Sequence, residues 1–124
     1  LPESTKGKRS EFHIPMLWLG GVVKQKGVRI DTLSSQTDLA ATLLAQLKMP
    51  AKSFAWSNDI FKKNRTPFAY FAFNNGFGFV NQGGFVVRDN IGGNITEQEG
   101  NSQKAAQEDG KAYLQASFSD YLAR

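Results

Sequence analysis

"FAYFAFNNGFGFVNQGGFVVRD", residues 68–89, holds three short aromatic-rich runs separated by Asn74-Asn75 and by Gly83-Gly84. Phe68 to Phe73, Gly76 to Val80 and Phe85 to Arg88 are each of strand length and rich in residues that suit a pleated, half-buried surface. Two-residue polar or glycine punctuation between such runs marks tight turns, so the spacing predicts an antiparallel meander. Its alternating aromatics most simply fill a core between a sheet and a helix.

Two helices are expected outside the meander. Upstream, Leu33 to Leu47 places Leu39, Leu43, Leu44 and Leu47 on one face at helical spacing. Ser35 is positioned to cap the first turn, with Asp38 three residues later in the manner of a capping box, and Pro50 stops the element. Downstream, Gly92-Gly93 leads into a polar stretch, and Ser102 to Leu122 predicts a second helix with Leu114, Phe118, Tyr121 and Leu122 on its apolar face. Gly110 inside it costs about 1 kcal/mol relative to Ala, which predicts fraying of its first half. At the other end of the chain, Leu1 to Glu11 reads as an irregular loop. Ile14 to Leu19, short and apolar with Pro15 near its start, reads as a buried strand. Val22 to Ile30 is a second short strand or a connection, with Lys24, Lys26 and Arg29 solvated.

Gly76-Phe77-Gly78-Phe79-Val80 overlaps the glycine and aromatic core of an RNA-recognition strand, whose rings stack on unpaired bases. The pattern fails at both ends, with Asn75 in place of the basic residue and Gln82 in place of the last aromatic. Element order differs too, since that fold runs βαββαβ with its other aromatic motif on the first strand, whereas this chain reads strand, helix, three strands, helix, with a first strand aliphatic apart from Trp18. Charge gives no support either. The net charge is +4, but residues 1–65 carry eleven Lys/Arg against five Asp/Glu, and residues 66–124 only four against six. The aromatic strands therefore lie in the acidic half, and no nucleic-acid partner is expected.

The 124 residues make one domain, 1–124, long enough to bury a core. No cysteine is present, which removes disulfides and thiolate chemistry. The longest apolar run, Ile14 to Val23, is interrupted by Pro15, Gly20 and Gly21 and falls short of the roughly 20 residues that cross a bilayer. The chain starts at Leu1 rather than Met, which suggests a processed protein or a piece of one. His13 is the only histidine, bordering the expected strand, and Asp31, Asp38 and Asp59 are spread among separate elements. No phosphate-cradling glycine motif occurs, and no nucleophile with its base or metal can be assembled. Asn64-Arg65-Thr66 and Asn94-Ile95-Thr96 match the short glycosylation acceptor pattern.

Four segments, in order, resemble the C-terminal portion of sulfatase-like enzymes: "FHIPMLWLGG" (12–21), "IDTLSSQTDLAATLLAQL" (30–47), "FAYFAFNNGFGFV" (68–80) and "GKAYLQASFSDYL" (110–122). Among these enzymes the chain is most similar to the lipoteichoic-acid synthase type, phosphoglycerol transferases of the alkaline phosphatase superfamily. The second segment is the most specific, with Ala41 where the family often has Pro.

The resemblance implies an α/β enzyme of which this chain is an α+β fragment. Ile14 to Leu19 would add to a large central sheet, the first helix would cover one of its faces, and a small C-terminal antiparallel meander would carry flanking helices. It further implies an extracytoplasmic parent, membrane-anchored through its upstream part. The parent would act on phosphate or sulfate esters through a Thr or Ser nucleophile and a divalent metal (Mn, Mg, Ca or Zn). Those catalytic and metal-binding positions lie upstream of the matched region, so no catalytic residue, metal ligand or cofactor is assigned to this chain. Lys6, Lys8, Arg9 and His13 are the residues placed nearest the substrate. The partners implied are the upstream catalytic portion, the ester substrate and, for the chain alone, a second copy of itself. The alternative expectation is an independent, non-catalytic binding module that uses the aromatic sheet.

Overall fold

The computed structural model describes residues 8–21 and 26–124. Four strands, β1 (Phe68–Phe73), β2 (Gly76–Asn81), β3 (Gly84–Asp89) and β4 (Ile95–Gly100), form one antiparallel sheet in the order β1-β2-β3-β4. Helices α1 (Asp38–Gln46) and α2 (Gln103–Leu122) flank it. The expected α+β arrangement is therefore present: a small antiparallel meander with flanking helices.

The central strand β2 is buried along nearly its whole length, and its alternation feeds two cores. Phe77 and Phe79 point to one side, where Val86 and Ala106 complete a cluster joined by Phe68, Tyr70, Tyr113 and Leu114. This is the face that α2 crosses. Val80, Phe85 and Val87 point to the other side and pack with Leu33, Ala69, Phe71 and Phe73. Gly78 lies opposite Phe71 in the β1–β2 register. A Cβ on Gly78 would run into the Phe71 ring, so the glycine is there to let that ring lie flat over the strand. Phe12 then stacks on Phe71, with ring centroids 4.2 Å apart. The glycine–aromatic alternation of β2 is thus explained by packing within the sheet.

The polar stretch after Gly93 contains β4, which sequence periodicity does not reveal because Ile95 is its only large apolar residue. Strand pairing is a property of the backbone, and a polar edge strand needs only its neighbour. Its register on β3 shifts between Val87 and Arg88.

In α2 the buried positions are Ala106 and Gly110, with Tyr113 and Leu114 half-buried. Phe118, Tyr121 and Leu122, expected on the apolar face, are exposed. Twenty residues of helix span about 30 Å, whereas six-residue strands span about 20 Å, so the last turns outrun the sheet. Gly110 is no point of fraying. A Cβ there would collide with the Phe77 ring and stand 2.9 Å from Phe79 Cβ, so glycine brings the helix close to β2.

Helix α1 is shorter than expected and turned differently. Its buried face is Asp38, Ala41 and Thr42, while Leu39, Leu43 and Leu47 are 45–56% exposed. The structure closes α1 with a Schellman arrangement rather than at Pro50: Lys48 is left-handed (φ 57°), its N–H donates to the Ala45 carbonyl, and the Met49 N–H donates to the Leu44 carbonyl.

Ile14 to Leu19 is not a strand. Ile14, Met16, Leu17 and Leu19 are 52–82% exposed, and Trp18 meets Phe61 edge-on. The four strands of the sheet pair with one another in sequence, and this tract joins neither edge of the sheet. Residues 26–30 carry no strand either, and 22–25 lie outside the described residues.

Candidate functional site

Of the residues placed nearest the substrate, the described ones, Lys8, Arg9 and His13, lie away from the two clefts of the structure. Lys8 and Arg9 begin a 3₁₀ turn, Arg9–Glu11, that docks on the sheet. The Arg9 N–H donates to Glu97 Oε2 (2.8 Å), and the Arg9 guanidinium sits 4.6 Å from the centre of the Phe85 ring. That contact explains the basic turn as a cover for the second sheet face. His13 is exposed, and Lys6 lies outside the described residues.

Among the described residues the densest polar arrangement is elsewhere, around Asp38. This carboxylate is 4% exposed. Its Oδ1 accepts the Asn58 N–H (2.9 Å), and its Oδ2 accepts the Ser35 N–H (3.1 Å) and Arg65 Nη2–H (3.2 Å). Arg65 Nη2 also donates to the Leu33 carbonyl (2.8 Å). Thr42 extends the network: its hydroxyl donates to the Asp38 carbonyl (2.6 Å), and its oxygen accepts the Ile60 N–H (3.1 Å).

Asp38 therefore does more than begin a helix. It ties the segment before α1, α1 itself and the loop at 57–60 to one buried guanidinium. Ser35 contributes only the backbone half of the expected capping box. Its side-chain oxygen accepts the Tyr70 N–H on the outer edge of β1 (2.8 Å), and the helix starts after Thr37.

Beside this network lies an open groove of about 430 Å³, lined by Thr32, Ile60, Phe61, Lys62, Lys63, Arg65, Pro67 and Gln82. Three of the eight lining residues are cationic and none is acidic. Arg65 is held by Asp38 and Leu33 through Nη2, while its Nη1 is buried without a hydrogen-bond partner. The signal legible in sequence was "KKNR" at 62–65, three cations in four residues, but their grouping with Thr32 and Gln82 requires the fold. Asn64 and Thr66 of the first acceptor pattern are exposed beside it.

A second, more aromatic cleft of about 370 Å³ is bounded by Thr37, Ser53, Phe54, Trp56 and Arg124. Trp56 Nε1–H donates to Asp120 Oδ2 (2.8 Å), which with Arg124 holds the Asp120 carboxyl below its ordinary value. Tyr113 meets Trp56 edge-on and stands against Tyr70, and burial pushes both phenols upward.

Among the described residues no group of three or more His, Asp or Glu is placed to hold a metal ion, and no helix is long and apolar enough to cross a membrane. No family model, curated protein or solved structure matches the chain.

Proposed function

We propose that this chain is the C-terminal structural part of an extracytoplasmic, metal-dependent enzyme similar to sulfatases and phosphoglycerol transferases. Such a parent cleaves or transfers phosphate or sulfate esters, with its nucleophile and divalent metal on an upstream, membrane-anchored portion. The chain's own part is scaffolding.

The observation that carries this reading is the outward leucine row of α1. Leu39, Leu43 and Leu47 lie in the segment with the most specific resemblance, and among the described residues they stand 45–56% exposed. In the proposed parent that face would meet the central sheet. The exposed tract Ile14 to Leu19 would supply a strand to the same sheet. The alternative, a binding module presenting an aromatic sheet, lacks its surface. Phe77, Phe79 and Phe85 are 0–6% exposed, and Phe71 is capped by Phe12.

Two measurements test the proposal. The complete gene product, purified with Mn²⁺, should turn over phosphoglycerol, phosphoethanolamine or sulfate esters and lose that activity to a chelator. The 124-residue chain alone should turn over none of them. A reading frame that opens with a signal peptide close to Leu1 would defeat the proposal and return the binding-module alternative.

A further inference from the structure

We infer that the last turns of α2 are a contact surface for a second copy of this chain, with α2 pairing antiparallel to α2 about Phe118. The inference is independent of the proposed enzymatic parent, which makes no use of this end of the helix.

Where α2 outruns the sheet it carries large apolar side chains. Phe118 is 57%, Tyr121 72% and Leu122 68% exposed. Side chains three and four apart on a helix are neighbours, so the three form one patch, continued at its base by the half-buried Leu114. Leu114, Phe118 and Tyr121 follow one another at intervals of four and three residues, the spacing of a seam between two packed helices.

The overhang is held in place. Trp56 Nε1–H, sixty-four residues away in sequence, donates to Asp120 Oδ2 (2.8 Å), and Arg124 Nη2–H donates to the same oxygen (2.9 Å). At 3.6 residues per turn, Asp120 and Arg124 lie on the side of the helix away from Phe118 and Leu122. A helix end that would otherwise fray is therefore anchored on one side and presents its rings ready-formed on the other, which lowers the cost of ordering them on binding.

The area fits a second copy. Two rings of roughly 200 Å² at those exposures leave about 260 Å² in water, and Leu122 brings the patch to about 350 Å². A standard interface takes about 800 Å² from each partner, a little over half of it apolar, so three side chains supply roughly three-quarters of the apolar share. An interface of this size predicts a reversible dimer in the micromolar range.

Charge does not oppose the pairing. From Tyr113 to Arg124 the charged side chains are Asp120 and Arg124, and they pair with each other. Two copies approach without like charges meeting, and a strongly charged partner finds nothing on this patch to steer it. With a two-fold axis at Phe118, that ring meets its own copy, Leu114 faces Tyr121 of the other copy, and Leu122 lies beside the other copy's Gln115.

Sedimentation equilibrium of the 124-residue chain, from micromolar to near-millimolar concentration, tests the pairing. Phe118→Glu sets two carboxylates against each other on the axis and should weaken dimerisation at least about tenfold, with the thermal unfolding curve little changed because the ring is exposed. The same drop in mean mass should appear with the α1 leucines intact and in Leu39→Ser/Leu43→Ser/Leu47→Ser, since that row is a separate surface. The antiparallel register has its own readout. Leu122→Glu should also weaken the dimer, and adding Gln115→Lys should restore it, because the new lysine meets the glutamate of the other copy. A chain that stays monomeric throughout overturns the inference, as does a folded Phe118→Glu or Leu122→Glu variant that dimerises as tightly as the unaltered chain. Failure of Gln115→Lys to restore the Leu122→Glu dimer overturns the antiparallel pairing.

Discussion

The two halves of this protein are held together by different means. From Phe68 onward, four strands and a twenty-residue helix bury rings on both sides of a sheet, and Phe77, Val86 and Val87 are fully enclosed. Before Phe68, the described chain contains one nine-residue helix and otherwise turns and irregular segments. Its order comes largely from a carboxylate, a guanidinium and a threonine hydroxyl, with Leu33, Ala41 and Ile60 as its few well-packed apolar side chains. The contrast teaches where cohesion resides. Burial of rings is diffuse and survives small changes, whereas a buried ion pair concentrates the stability of several segments on two side chains.

The largest expected effects break the two halves separately. Phe77→Ala removes a fully buried ring between β2 and α2 and should destabilise the protein by about 3–5 kcal/mol in urea unfolding. Asp38→Ala leaves Arg65 buried without its counter-ion and should also cost about 3–5 kcal/mol. The signatures differ. Hydrogen exchange on Asp38→Ala should rise first in residues 33–65 while the β2 and β3 amides keep their protection, and on Phe77→Ala the sheet itself should exchange faster. Uniform loss of protection in both variants would mean that the halves form a single cooperative unit.

A smaller effect probes the sheet–helix contact. Helix propensity alone says that Gly110→Ala should stabilise by about 1 kcal/mol. A Cβ at that position meets Phe77 and Phe79, and forcing it in should cost about 1–3 kcal/mol. Net destabilisation in thermal unfolding is the expected result. A more stable Gly110→Ala would show that α2 rides farther from β2 than Phe77 allows.

The same contrast separates what the sequence disclosed from what it hid. The meander was legible because each run of Phe, Tyr and Val meets its partner within a few residues, so local pattern and tertiary pairing agree. β4 was hidden because "ITEQEG" carries no alternation of apolar residues, and its place is fixed by backbone pairing to β3. The leucines of α1 gave a true helix but the wrong inward face. Asp38 and Thr42, whose polarity argues for exposure, are buried because partners from residues 57–65 satisfy them. Those partners lie sixteen to twenty-seven residues away, beyond the reach of periodicity. The groove was unreadable for the same reason, with only "KKNR" visible as charge.

The junction between the halves offers a pH-dependent test. Trp56, from the N-terminal half, donates to Asp120 near the end of α2, and this bond with Arg124 keeps the carboxyl ionised to lower pH than usual. A depressed folded value means that Asp120 contributes stability above its unfolded value. That contribution is lost as pH falls through the lower, folded one. Trp56 fluorescence should therefore report a transition below the ordinary aspartate range, absent in Asp120→Asn. A midpoint at or above the ordinary value would show that the Trp56 contact is not formed in solution.

The smallest effect on stability belongs to the surface that distinguishes the N-terminal half most. Leu39, Leu43 and Leu47 follow one another along α1 and are each about half exposed, so Leu39→Ser/Leu43→Ser/Leu47→Ser removes little area buried on folding. Surface changes of this kind usually fall within about 0.5 kcal/mol per site. What should change is association. With both sheet faces covered, the apolar residues that can recruit a second copy include this row, the exposed tract Ile14 to Leu19 and the exposed end of α2 at Phe118, Tyr121 and Leu122. Sedimentation of the unaltered chain at micromolar concentration should show a dimer or larger species, and the triple variant should shift it toward monomer with its unfolding curve nearly unchanged. A strictly monomeric parent chain would mean that water tolerates the leucine row as it does scattered apolar side chains, and would remove the need for a covering partner.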